Sequence, residues 1–152
     1  MKLNCIMGCD PGVSGAISFY FPDYPENISL YDMPSVGKDV NAPAITSLIK
    51  KYQPDIAIIE FVHAFPKQGV SSVWNFAEAY GTLRGIVAAC GIPQHLVSPV
   101  KWKKFFSLSS DKEASRRLAL LTWPDSEHFN RKKDHGRAEA ALLALYGYKT
   151  QK

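Results

Sequence analysis

Residues 2–21, KLNCIMGCDPGVSGAISFYF, decide how the chain is read. Residues 2–9 and 15–21 are apolar and rich in β-formers, while Asp10-Pro11-Gly12-Val13-Ser14-Gly15 between them gathers turn formers, so the chain is expected to open as strand, turn, strand. Residues 28–33 (ISLYDM) follow the loop FPDYPEN as a third, antiparallel strand. Asn41 is placed to cap a helix with Pro43 in its first turn and Ile45, Leu48, Ile49 and Tyr52 at helical spacing. Residues 55–60 (DIAIIE) then read as a buried strand.

A 3.6-residue period through Val73, Phe76, Ala77, Tyr80, Leu83 and Val87 predicts a long helix from Ser71 to near Gly91, followed by a short strand over 93–97. Ser110-Asp111-Lys112-Glu113 reads as a capping box for a helix with Ala114, Leu118 and Leu121 inward, stopped at Trp123-Pro124. A last helix is expected over 135–147, with Ala138, Leu142 and Leu145 toward a sheet and Gly147 at its end. The order βββαβαβαα is that of an α/β fold, a mixed five-stranded sheet with helices on both faces, and is read as one domain over 1–152.

Composition agrees with a folded chain: of 152 residues, 46% are hydrophobic and 21% charged. Cys5, Cys9 and Cys90 are an odd number without metal-ligand spacing, and are expected to be reduced thiols. The opening MKLNCIMGCDPG has too short an apolar run for a signal peptide or membrane span, which predicts a cytoplasmic protein with no membrane partner. Charge is unevenly spread. Residues 1–98 carry 6 basic and 8 acidic groups, and residues 99–152 carry 12 and 6. A positive half beside a carboxylate-bearing half suits a polyanion that approaches a cation-loaded site.

The carboxylates stand at element ends. If the first and fourth strands are parallel neighbours, Asp10 and Glu60 leave the sheet at the same edge, where open α/β folds place their sites. Glu139 interrupts the apolar AEAALLALYG and shares a helix face with His135, four residues before it, while Asp134 either reaches the same side or caps the helix. Four such groups match two hard cations with oxygen ligands, here two Mg²⁺, which together activate a water and neutralise a leaving oxygen at a phosphodiester. His135 is a candidate to hold a water or protonate the leaving group, or simply to bond to backbone at a helix start. No Cys/His set has zinc spacing and no phosphate-cradling G-x-x-x-x-G-K-[ST] loop is present, so no nucleotide cofactor is expected. The D-x-G-x-x-G turn also occurs in actin-like ATPases, but those need two such domains.

Six stretches in order, GCDPGVSGAI (8–17), IIEFVHAFPKQGVSS (58–72), YGTLRGIV (80–87), SPVKWKK (98–104), SSDKEASRRLA (109–119) and KKDHGRAEAALLALYG (132–147), resemble RuvC-type crossover junction resolvases of the ribonuclease H-like class, closest to the bacterial, phage and plant chloroplast branch. The resemblance implies a bacterial or phage homodimer that nicks four-way junction DNA symmetrically with Mg²⁺, Mn²⁺ being able to substitute. Asp10, Glu60 and Glu139 fall on the family's acidic positions and Asp134 on its fourth, with His135 in reserve, because Gly136 occupies the place three before Glu139 where bacterial RuvC carries an aspartate. His63 stands where RuvC has a junction-wedging Phe, leaving Phe61 or Phe65 to substitute. Lys67, Gln68, Ser71 and Ser72 are candidate DNA contacts from the loop after Glu60. Lys101, Lys103, Lys104, Arg131, Lys132 and Lys133 would supply phosphate affinity. Trp74, Phe76 and Tyr80 could form a dimer face. The competing readings are a related nuclease acting on RNA or other branched DNA, and a junction binder without turnover.

Overall fold

Alternation along the strands sorts the core onto two faces of a sheet. The structure, a computed structural model, describes residues 2–151. Strands β1 (Ile6–Asp10), β2 (Ala16–Tyr20) and β3 (Ile28–Asp32) form the antiparallel meander expected from the opening run. Helix α1 (Ala42–Tyr52), capped by Asn41, leads to β6 (Ile56–Glu60), which is numbered after a two-residue hairpin, β4 (Ser35–Val36) and β5 (Asp39–Val40). Helix α2 (Val70–Ala89) leads to β7 (Gln94–Val97), and the chain closes with α3 (Pro99–Phe105), α4 (Lys112–Thr122), a 3₁₀ turn Lys132–Asp134 and α5 (His135–Thr150). The main sheet runs β3-β2-β1-β6-β7, with β1, β6 and β7 parallel.

On one face Met7, Cys9, Ile17, Phe19, Ala57 and Ile59 pack with Ile45 and Ile49 of α1 and Leu83 and Val87 of α2. On the other, Ile6, Ile56 and Ile58 meet α5, which Trp102, Ala119, Trp123 and Phe129 enclose from behind. Because α5 is covered on both sides, its residues from Gly136 to Gly147 are nearly all buried, and the apolar run needs no polar stripe. All three cysteines are free, Cys5 and Cys9 buried in the core. Among the described residues no helix is long and apolar enough to cross a membrane.

Several local expectations differ from the structure. Gly147 does not stop α5, which continues to Thr150; a Cβ there would lie 2.4 Å from Ile58 Cγ1, so the glycine serves a close helix–sheet contact instead. Ser110 is no cap. Asp111 holds that position and accepts from the Glu113 amide, while Glu113 pairs with Arg116 at 2.9 Å rather than closing a capping box. Leu121 is 80% exposed and Ser115 and Ala119 are the buried pair, since α4 presents a face rotated from the expected one. The short helix α3 and the β4–β5 hairpin were not expected at all.

The first half of α2 also departs from its periodic pattern. The helix is about 30 Å long, whereas the strands of the main sheet, five residues at most, span about 17 Å. Its N-terminal turns therefore project past the sheet, leaving Phe76 and Ala77 exposed, Trp74 69% exposed and Val70 86% exposed, with Ala79, Leu83 and Val87 as the buried residues.

The closest helix–sheet approach at a glycine is α5 over β1 at Gly8. A Cβ at Gly8 would lie 2.2 Å from Ala140 O and 2.6 Å from Ala144 N. Backbone cannot step aside as a side-chain tip can, so Gly8→Ala is expected to cost more than the roughly 1–3 kcal/mol usual for overpacking, read as a lower urea midpoint. A wild-type midpoint would mean that α5 does not seat on β1 this closely.

Candidate active site

Strand parity brings the first two carboxylates together. Gly8 and Ile58 are register partners on parallel β1 and β6 and both face α5, so Asp10 and Glu60, two residues further on, emerge on that same side at the same level. Helix α5 crosses above them and contributes Glu139. One oxygen from each of Asp10, Glu60 and Glu139 lies within 4.8 Å of the others, with Glu60 and Glu139 buried and Asp10 partly so.

The turn after Asp10 is built for close packing. Gly12 has φ +98° and its carbonyl accepts from the Gly15 amide at 3.0 Å, while a Cβ at Gly15 would lie 1.9 Å from Asp10 O. The turn lines a cleft of about 590 Å³ together with Asp10, Glu139, His135, Lys112, Lys38 and, from α2, Ser72, Asn75 and Phe76. Phe76, expected with Trp74 and Tyr80 to form a dimer face, leans over Gly12 at the cleft wall.

Asp134 is not part of the three-carboxylate group. It is buried, but its carboxylate accepts from the Arg131 amide at 2.8 Å, pairs with Arg131 Nη2 at 2.8 Å and stands 3.7 Å from Arg137. Burial pushes its carboxyl upward, and the hydrogen bonds from Arg131 with the Arg137 charge more than offset that, leaving it below the ordinary value. Nor does it cap α5 through its side chain. His135 is the residue of this pair that faces the cleft. At Gly136 a Cβ would lie 3.3 Å from Asp10 Oδ2, so the glycine leaves that direction open.

The other expected contacts divide. Lys67, Gln68, Ser71 and Ser72 are exposed, Ser72 at the cleft and Gln68 accepting from the Phe65 amide at 2.6 Å. Phe61 and Phe65 are exposed and flank His63. Lys101, Lys104, Lys132 and Lys133 point outward, and Arg131 is partly spent on Asp134. Lys103 turns inward, its Nζ 3.7 Å from Glu139 Oε1, because the carboxylates draw the ammonium group away from the surface.

Spacing alone missed Lys38, Lys112 and Trp102. The first two are ordinary surface lysines in the sequence; only the hairpin tip and the start of α4 carry them to the cleft. Trp102 had a signal. A Trp among lysines in KWKK must either bury its ring and find an acceptor for its N–H or expose both, and here Nε1 donates to Glu60 Oε2 at 2.8 Å.

Desolvation holds the Asp10 carboxyl well above the ordinary carboxylate range, the charges of Glu139 and Glu60 push the same way, and Lys112 and Lys103 oppose them. Burial likewise raises Glu60, against the Trp102 hydrogen bond. Oxygen donors crowded together with too little positive charge to ionise freely are the donor set of a hard divalent cation, and these residues fit one.

A pH dependence follows with a definite sign. Asp10 and Glu60 hold protons more tightly folded than unfolded, so their contribution to stability falls as pH rises from the ordinary carboxylate range through the raised values. In EDTA, Asp10→Asn is therefore expected to raise Tm over wild type at neutral pH and to lose that advantage in acid. Mn²⁺ should raise the wild-type Tm at neutral pH and much less in acid. Melting curves that overlay under all these conditions would remove the cluster as a cation site.

No protein-family model matches the chain. RuvC of Corynebacterium diphtheriae, a crossover junction endodeoxyribonuclease, is 34% identical over 79 residues, 52% of this chain and 47% of that protein. RuvC of Corynebacterium efficiens is 27% identical over 128 residues, 77% of this chain and 56% of that protein. The chain thus spans about half the length of the curated relatives it matches. Among solved structures, Thermus thermophilus RuvC superposes with a TM-score of 0.65 at 10% identity, covering 97% of this chain and 96% of that one. The same protein in complex with a Holliday junction substrate gives 0.64 at 10% identity, covering 95% of each chain. The yeast mitochondrial Holliday junction resolvase gives 0.51 at 16%, covering 94% of this chain and 78% of that one. The chain has the ribonuclease H-like fold of RuvC and resembles the RuvC junction resolvases in sequence.

Proposed function

We propose that residues 1–152 form one metal-dependent endonuclease domain of the RuvC type, cytoplasmic, that nicks four-way DNA junctions symmetrically as a homodimer. The observation that carries this reading is the convergence of Asp10, Glu60 and Glu139, from β1, β6 and α5, beside an open cleft on a RuvC fold. Two divalent cations, Mg²⁺ with Mn²⁺ as a substitute, would supply the Lewis acidity that activates water and neutralises the leaving oxygen of a phosphodiester.

The chain's own residues do the rest. Asp10, Glu60 and Glu139 provide fixed oxygen donors, and Asp10 is preorganised by the tight turn behind it. His135, on the cleft wall one helical turn from Glu139, is placed to complete the donor set or to pass a proton to the departing oxygen. Asp134 supports that arrangement from behind by fixing Arg131 and Arg137 at the start of α5. Lys112 and Lys38 offer ammonium groups to the phosphates of a strand lying in the cleft.

The projecting half of α2, with Val70 and Trp74 exposed, offers an apolar face for a second copy of the chain. Phe61 and Phe65, on the loop that leads into it, are then the aromatic groups nearest a junction centre. Lys101, Lys104, Lys132 and Lys133 supply sequence-independent affinity.

The test is cleavage of a labelled synthetic four-way junction beside linear duplex, single strands and RNA–DNA hybrid, in Mg²⁺, Mn²⁺ or EDTA. Paired symmetric nicks on the junction alone, lost in EDTA, are expected; metal-dependent cutting of hybrid or another branch would move the substrate, and tight junction binding without cutting would replace the enzyme with a binding protein. Glu60→Gln is expected to lower cleavage by a factor of a hundred or more, an estimate of roughly 3 kcal/mol in transition-state stabilisation, with junction binding in EDTA retained. Replacing Lys101 and Lys104 by alanine should weaken binding and flatten its salt dependence by up to about two units of slope. An unchanged slope would take α3 out of the DNA footprint.

A further inference from the structure

Trp102 is fully buried, at 0% exposure, yet its one polar atom is spent on a carboxylate of the cluster: Nε1 donates to Glu60 Oε2 at 2.8 Å, across 42 residues of sequence. The ring is held firmly. Ser98 caps α3 directly after β7, accepting from the Lys101 amide at 3.2 Å, and β7 is in register with β6 so that Val97 partners Glu60. The next residue, Lys103, places its Nζ 5.6 Å from the Trp102 ring centroid and 3.7 Å from Glu139 Oε1. One turn of α3 therefore touches two of the three clustered carboxylates.

We propose that Trp102 is a positioning residue for Glu60, fixing its carboxylate so that the outward lone pairs face the cation site, and that α3 thereby sets the site's affinity for divalent metal. The proposal rests on the reading of Asp10, Glu60 and Glu139 as a cation site. An indole N–H is donor-only and neutral. It can immobilise one oxygen without cancelling the negative charge that a cation needs, which an ammonium or guanidinium in the same place would do. A carboxylate offers about four acceptor positions, so one hydrogen bond leaves the remainder for metal. Packing alone would be served by phenylalanine, and outer-shell donors of this kind typically change metal affinity or activity by about 10–100-fold when lost.

The experiment is Mn²⁺ titration calorimetry on the protein alone, comparing wild type with Trp102→Phe, alongside junction binding in EDTA and the Mn²⁺ dependence of cleavage. Expected is a Mn²⁺ Kd about tenfold weaker or more in Trp102→Phe, unchanged junction binding in EDTA, and cleavage that recovers as Mn²⁺ is raised. Should Trp102→Phe fail to fold, replacing Trp102 by 3-benzothienylalanine, with sulfur in place of N–H in a ring of the same size, makes the same comparison without a cavity. Equal Mn²⁺ affinity in folded wild-type and N–H-less proteins would overturn the role of Trp102 while leaving the cation site standing. Absence of Mn²⁺ binding to wild type would overturn the cation-site reading itself.

Discussion

The seat of α5 on β1 is the contact on which the rest of the structure depends. Gly8 lets the helix backbone come within a distance that no side chain would permit, and the small residues Ala140, Ala144 and Gly147 continue that approach along the helix. Ser18, buried in the neighbouring strand, secures it by donating to Ala140 O at 2.7 Å. With the helix fixed this closely in height and rotation, Glu139 meets Asp10 and Glu60. A larger spacing would leave the same three carboxylates as unrelated charges.

That closeness stores electrostatic energy as well as building a site. Three carboxylates at the end of a sheet, short of water and short of counter-charge, repel one another, and the protein offsets this only in part through Lys103 and Lys112. Complete neutralisation by side chains would leave nothing to attract a cation, and no neutralisation would favour protonated, non-binding acids. By contrast, Asp134 and Asp32 are tied to Arg131 and Arg137, which fasten the start of α5 to the end of β3. Within a few residues, one set of acids is paired for structure and another is left underpaired.

The unsatisfied apolar surface lies at the opposite extreme. Helix α2 extends beyond the sheet it covers; its first turns, which follow the exposed aromatic loop over 61–69, line one side of the cleft through Ser72, Asn75 and Phe76. The length mismatch between helix and strand thus puts an exposed apolar face and one wall of the cleft on the same element, so that under the proposed function the pairing of two copies and the approach of a substrate would be mechanically linked.

The strands, the main helices and the pairing of Asp10 with Glu60 were legible in the sequence because they follow from short-range regularities: β-rich runs bounded by turn formers, the Asn41 cap, and a carboxylate closing an otherwise apolar strand. Glu139 was legible for a similar reason, as a charge that a helix packed on both sides would otherwise exclude. Tertiary structure decided what depends on contacts between distant residues. It turned Asp134 to its arginines and His135 to the cleft, drew Lys103 inward, brought Trp102 onto Glu60, and made Gly147 a packing contact instead of a helix end. Local patterns specify which face of an element is apolar; which partner a polar group finds depends on where the other elements come to rest, and here that position is fixed by the close crossing at Gly8.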